Sequence, residues 1–558
     1  MLRLSEIKLP LDHTGDALKA AILKRLGIPA DDLVSYSIFR RGFDARKLSA
    51  IQFVYTLEVT VKNEAALLQR TQSASDKKSP AHISLAPDTS YRFVTHAPKN
   101  LAMRPIVIGT GPCGLFAGLI LAQMGFCPII LERGKSVRER TKDTFGLWRQ
   151  GKLDPESNVQ FGEGGAGTFS DGKLHSQIKD PKHYGRKVLT EFVQAGAPTE
   201  ILYVSKPHIG TFRLVGVVET MRATIESLGG EFRFQSKVTD IFIEIAPDKT
   251  RQIRGVVMAS GEHIASDHVI LAVGHSARDT FEMLHERGVY MEAKPFSIGF
   301  RIEHPQSLID RARFGKNAGN PQLGAADYKL VHHASNGRSV YSFCMCPGGT
   351  VVAATSEVGR VVTNGMSQYS RNERNANSGI VVGITPDDYP GDVLAGMHFQ
   401  RHWESRAYLL GGENYCAPGQ LVGDFLSGKP STALGSVLPS YTPGVHLTDL
   451  STALPDYAIY AIREAIPALD KQLKGFALHD AVLTGIESRT SSPVRIKRAA
   501  DFTSINTLGL YPAGEGAGYA GGILSAAVDG IEVAEAVARS MMAICQSITG
   551  ETTLGKIM

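Results

Sequence analysis

The stretch PIVIGTGPCGLFAGLILAQMGFCPIILERG, residues 105–134, constrains this chain more than any other. Gly109, Gly111 and Gly114 stand in G-x-G-x-x-G spacing. The β-branched run Ile106–Ile108 precedes them, an apolar run with helical character follows from Pro112, and a second short strand ends at Glu132. That order is the start of a dinucleotide-binding βαβ unit. Gly109 allows the tight turn, Gly111 lets backbone approach a pyrophosphate, and Gly114 lets helix and strand pack closely. The helix then begins at Pro112 and Cys113 with free N–H groups and the positive end of its dipole toward the phosphates. Glu132 is expected to accept hydrogen bonds from a ribose, and an acid there disfavours a 2′-phosphate. The run is long enough to resemble a membrane span. Its glycine spacing reads otherwise, and no membrane is expected as a partner.

Around this unit, 558 residues suffice for two to four domains. Residues 1–98 alternate strand and helix patterns in the order βαββαβ, with YRFVTH (91–96) as the last strand and 73–89 as a loop. That order predicts a small ferredoxin-like α+β domain. Residues 1–104 hold 16 Lys/Arg and 10 Asp/Glu, a net of +6, so the rest of this +5 chain sums to about −1. The excess has no dense basic run, so nucleic acid is not expected as a partner and a solvated face is the plainer reading. Six cysteines show neither disulfide nor zinc spacing, and the N-terminus has no apolar signal core. Together these suggest a reducing, cytoplasmic setting.

Two distant segments complete the pattern. LGLYPAGEGAGYAGGILSAAVDGIEVAEAV (508–537) reads as strand, glycine turn and long helix. It resembles the C-terminal flavin-binding motif of glutathione-reductase-like FAD-dependent oxidoreductases. That resemblance implies cofactor contacts from Gly514, Glu515, Gly521, Gly522 and Ile523; the motif's usual acid is Asp, and here it is Glu515. DHVILAVGHSARDT (267–280) resembles the segment that closes the adenine side at Gly274, and Val238 would lie by the adenine through its backbone. The predicted fold is thus α/β: a discontinuous Rossmann-type FAD domain (104–289 and 486–558), with a β-rich substrate domain inserted at 290–485 and the ferredoxin-like domain at 1–98. No second complete strand, G-x-G-x-x-G, helix and strand unit is read, so a dedicated nicotinamide domain is not expected.

VQFGEGGAGTFSDGKL (159–174) is expected to run back across the cofactor. Gly164, Gly165, Ala166 and Gly167 would lie flat along it, Thr168 and Ser170 would offer hydroxyls, and Lys173 would offset negative charge. A loop that merely turns at the surface is the plainer alternative. Arg133 and Arg140, just past the second strand, join the expected cofactor set. With APGQLVGDFL, ESRTSSPVRI and the DARK of FDARK, the glycine-rich loop resembles one bacterial family of poorly characterised FAD-dependent dehydrogenases carrying an extra N-terminal domain. The resemblance implies FAD and no assigned substrate.

For chemistry, Cys344 and Cys346 sit two apart on a predicted strand and face one side of it. They are a redox pair, a flavin-facing nucleophile or two small buried residues. Arg489 is either a fork for a substrate carboxylate or half of an ion pair with Glu487. His208 is a general acid or base, or a structural histidine. No metal site is expected. The expected activity is an FAD-dependent oxidoreductase passing hydride between the flavin and a small organic substrate, with NAD(P)H as a visiting donor or a redox partner protein. The rival readings are a flavoprotein acting on RNA and a non-catalytic flavin-carrying sensor.

Overall fold

A computed structural model describes residues 1–73 and 82–549. The first unit runs β1 (Leu2–Pro10), α1 (Gly15–Leu26), β2 (Leu33–Asp44), β3 (Gln52–Val61), α2 (Glu64–Ser73) and β4 (Ile83–Leu85). Its sheet order is β2-β3-β1-β4, with every neighbouring pair antiparallel. β3 buries every second residue, which puts Phe53, Tyr55, Leu57 and Val59 on the helix side. The fourth strand is not YRFVTH. It is Ile83–Leu85, inside the stretch read as a loop, whose residues 74–81 lie outside the described residues. The alternation in YRFVTH has another use. Tyr91 packs edge-on against Tyr184 at 5.7 Å and donates to Glu535 at 3.1 Å, anchoring the connector to the next unit.

That next unit is built on β5 (Ile106–Ile108), α3 (Pro112–Gln123), β6 (Ile129–Leu131) and β7 (Glu231–Arg233). A small antiparallel sheet follows, β8 (Val238–Ile245), β9 (Arg251–Met258) and β10 (His263–Ala265), then β11 (Val269–Leu271). β11, β5, β6 and β7 lie side by side and parallel, and the late strand Leu510–Pro512 adds to the free edge of β11. β5 and β6 are buried on both faces, as expected for short apolar strands in a parallel sheet covered by helices. α3 is apolar all round and is sandwiched between the sheet and the last helix, Ile523–Thr549.

Between β11 and Leu510 the chain builds a separate seven-stranded sheet. Its order is Val331–His333, Ser339–Cys346, Asn375–Ile384, Phe296–Pro305, Val482–Glu487, Ala417–Leu421 and Val445–Leu447. All pairs are antiparallel except the last. Helix Asp456–Gln472 packs across it and closes the largest core. The architecture is a mixed α/β one. Among the described residues, no helix is long and apolar enough to cross a membrane.

Candidate functional site

The C-terminal ends of the parallel strands open into a cavity of about 390 Å³, faced on its far side by the seven-stranded sheet. Its floor is the first glycine turn. Gly109 has φ +100°, and a Cβ there would lie 2.3 Å from the Ala272 carbonyl oxygen; one at Gly114 would lie 1.9 Å from that of Gly109. Gly114 therefore serves the helix–strand packing and stays out of the cavity lining. Gly111 begins α3 without a side-chain cap, so the first N–H groups of the helix face the cavity.

The glycine-rich loop reaches that turn. Gly164 N–H donates to the Thr110 carbonyl at 2.9 Å, and a Cβ on Gly165 would lie 2.7 Å from Gly111 Cα. Gly165, Ala166, Gly167, Ser170 and Lys173 line the cavity; Gly164 and Thr168 lie behind it. On the opposite side stand Gly514, Glu515, Gly521, Gly522 and Ile523, where helix Ile523–Thr549 begins. Val238 and Gly274 complete the same wall as Pro112 and Cys113. Segments some 400 residues apart in sequence thus line one space.

Two expected cofactor ligands have other work. Glu132 lines the cavity, but its carboxylate is filled by the protein: Oε2 accepts from the N–H and hydroxyl of Thr110, and Oε1 from the N–H groups of Gly134 and Gly162, at 2.5–3.0 Å. That uses about four acceptor positions, all that a carboxylate offers. Glu132 here clamps the first turn to the glycine-rich loop. Arg140 is fully buried beneath the loop and lines no part of the cavity. Its guanidinium donates to the carbonyls of Asn158, Val159, Gly162 and Glu163. It fixes loop shape, a corrected role. Arg133 does line the cavity and is held by Glu156 and Asp279 while lying over Phe161.

The catalytic candidates also separate. His208 stacks on Tyr369 at 5.4 Å, with Nε2 3.0 Å from the Tyr369 carbonyl, and it does not reach the cavity. Arg489 lines the cavity, yet its donors go to Glu404, Ser276 and Ser356. The free fork and the pair with Glu487 are both replaced. Glu404 is completely buried and also takes a bidentate pair from Arg278 of helix Arg278–Glu286. Glu487 instead pairs with the buried Arg301. Of the two cysteines only Cys344 faces the cavity; Cys346 is buried behind it.

Several cavity groups are shifted in ways that residue type alone does not announce. Burial pushes Glu515 up to about 8, although Lys294 opposes the shift. Burial also raises Glu487 to about 7 against the pull of Arg301. His275, 4.0 Å from Glu515, is held down at about 3 by burial and by the nearby Arg489 and Arg278. At neutral pH the cavity thus holds a neutral imidazole beside a protonated carboxyl. His275 and Ser276 follow Gly274 in the quoted segment, so position alone would have found them; Thr363 and Asn364, on a short strand of the inserted region, would have been missed by any pattern. A second cavity of about 690 Å³ shares Phe343 and Thr490 with the first.

Residues 295–490, which supply the seven-stranded sheet up to Arg489 and Thr490, match the family described as FAD-dependent protein, C-terminal domain-like. Residues 1–60 match a domain of unknown function (DUF8436). An uncharacterised protein of Clostridium beijerinckii is 49% identical over 536 residues, covering 96% of this chain and 98% of its own. The chain belongs to the same family as that protein, an FAD-dependent one by its C-terminal domain. Among solved structures, Thermovibrio ammonificans THI4 is 17% identical over 34% of this chain and 66% of its own, with a TM-score of 0.24. CtdE in complex with FAD is 11% identical over 81% and 92%, with a TM-score of 0.30. Scores of that size do not define a shared fold.

Proposed function

We propose that the cavity holds FAD in a glutathione-reductase-like arrangement and that the protein is an FAD-dependent oxidoreductase acting on a small organic molecule. One observation carries this reading: three remote glycine segments, at 109–114, 162–167 and 514–522, converge on one cavity at the uncapped start of α3. The side of Gly111 that a Cβ would occupy has only Gly165 Cα nearby, at 3.8 Å, so backbone is bared on both sides of the space a pyrophosphate needs. The residues present fit the group. The start of α3 and Gly165–Gly167 would hold the pyrophosphate, Val238 and Gly274 the adenosine end, and Gly514–Ile523 the ring end.

When bound, the flavin supplies reversible two-electron chemistry with hydride equivalents. The chain supplies position and protons. Glu515 keeps a proton at neutral pH within the cavity and is the group best placed to donate it. Lys173, held by the Met345 carbonyl and near Asp171, contributes a fixed positive charge. Arg489 carries Ser276 and the chain at His275 in register with Glu404. The substrate would lie against Phe343, Cys344 and Asn364. NAD(P)H arriving from solvent is the donor in this reading, with a redox partner protein as the alternative, and a reducing cytoplasm is the compartment.

The test is direct. The purified protein should be yellow, and the chromophore released on denaturation should have the mass and spectrum of FAD. A colourless protein that takes up no FAD when it is supplied would remove the reading.

A further inference from the structure

In the reading above Cys344 only borders the substrate, and Cys346 has no task. Strand Ser339–Cys346 pairs regularly with Asn375–Ile384 up to Phe343 opposite Gly379, and the next pair is Cys346 opposite Asn377. Three residues of one strand therefore span two of the other, a bulge centred on Cys344 and Met345. Cys344 sits there in the left-handed region, φ +41°, which a cysteine enters only under constraint. On a regular strand, residues two apart have Cα atoms roughly 6.6 Å apart, at the upper end of what a disulfide spans. The bulge breaks that regular step. Cys346 Sγ lies 3.3 Å from the Cys344 carbonyl oxygen, and that oxygen also accepts from Arg301 at 2.8 Å.

The surroundings suit a reactive sulfur. The Cys346 thiol hydrogen-bonds to Cys344, and Lys173 and Arg301 face it; together they hold Cys344 well below the usual thiol range against its burial. The carboxylates facing it are Asp171, Glu487 and Glu515. Thr363, 2% exposed and with a hydroxyl that has no partner, lines the same cavity, and its neighbour Asn364 shares Arg301 with Cys344.

We propose that Cys344 is a nucleophilic thiol that attacks a small-molecule disulfide admitted to this cavity, and that Cys346 is its resolving thiol. This names a substrate class for the oxidoreductase read above and rests on that reading for turnover, whereas the half-reaction uses protein atoms alone. The Cys344 thiolate attacks one substrate sulfur. The substrate S–S bond breaks, the first small thiolate leaves and takes a proton from solvent, and a mixed disulfide remains. Cys346 then gives up its proton and attacks Cys344 Sγ. The mixed S–S bond breaks, and the second small thiolate leaves with that proton. The substrate disulfide is reduced by two electrons to two thiols, and the protein dithiol is oxidised to a Cys344–Cys346 disulfide.

The test uses the full-length protein, reduced and desalted, with a dipyridyl disulfide as probe at about pH 5, well below the ordinary thiol pKa of about 8.5. Cys344 should react at least about tenfold faster than Cys127 and Cys416, because the thiolate fraction gained outweighs the nucleophilicity lost. Two equivalents of thiopyridone should follow from the pair, and peptide mapping should find the Cys344–Cys346 bond. Cys346→Ser should stop at one equivalent with the probe retained on Cys344. Cys344→Ser should lose the fast phase and keep its flavin absorbance. A wild-type Cys344 no faster than Cys127 and Cys416, or a map with no internal bond, overturns the proposal, and neither measurement depends on a variant folding. A colourless protein with the fast phase would support the thiol chemistry while sinking the cofactor reading; a yellow protein with a slow Cys344 would do the reverse.

Discussion

Replacing Glu132 with Gln separates two roles that a carboxylate at this position can have. The side chain keeps its size, and one oxygen stays an acceptor. The other oxygen becomes an NH2 group facing two donors: the N–H and hydroxyl of Thr110, or the N–H groups of Gly134 and Gly162. Two charge-assisted hydrogen bonds are lost, each contributing about 1.5–3 kcal/mol, and buried donors are left facing one another. With partial relaxation the loss should be about 3–5 kcal/mol, and it should appear before any ligand is added. The assay is thermal unfolding of the flavin-free protein, paired with limited proteolysis of residues 158–174. Glu132→Gln should unfold several degrees lower and be cut faster in the loop. A variant with wild-type unfolding and wild-type proteolysis that only binds FAD more weakly would refute the clamp and restore the ribose acceptor.

Gly165→Ala places a Cβ 2.7 Å from Gly111 Cα on a residue with φ +61°. Left-handed strain of about 1–2 kcal/mol and overpacking of about 1–3 kcal/mol should push the loop off the first turn, so that the protein purifies with markedly less bound flavin; full yellow colour would contradict this. Glu515 is raised in the folded state, from 4.5 to about 8, so the folded protein holds a proton that the unfolded chain has released across that window. Stability of the flavin-free protein should therefore fall as pH rises through it, and Glu515→Gln should flatten the fall. The contrast should be cleanest from about 7 to about 8, above the titration of Glu487; parallel curves for the two proteins there would count against the burial of Glu515.

The parts of this molecule legible in the sequence are those set by local rules. The first glycine turn is one, because G-x-G-x-x-G between two apolar strands admits few backbones. The N-terminal βαββαβ order is another, although its last strand falls at Ile83–Leu85 and not at Tyr91–His96. Three residues are too few to show alternation, whereas aromatic anchors such as Tyr91 and Phe93 imitate it. What stayed hidden depends on pairing across long separations. Arg489 prefers Glu404, 85 positions away, to the nearby Glu487, and Glu487 turns to Arg301 across the sheet. Their place next to the motif points Glu132 and Arg140 toward a ligand. Arg140 instead holds backbone carbonyls of a loop whose path no pattern prescribes, and Glu132 joins Thr110 of the motif and Gly134 to Gly162 of that loop. The bulge at Cys344 is a matter of register, and it leaves no trace in residue types.

The junction of Arg278, Glu404 and Arg489 limits how this protein can be taken apart. Arg278 follows the parallel sheet, while Glu404 and Arg489 lie in residues 295–490, the segment that builds the seven-stranded sheet. A replacement layer without Arg278 would leave the fully buried Glu404 without half of its counter-charge, a loss of about 3–5 kcal/mol. Neither layer should therefore be swapped for a foreign counterpart unless its share of the triad travels with it. Chimeras that respect this seam should fold, and those that cut across it should not.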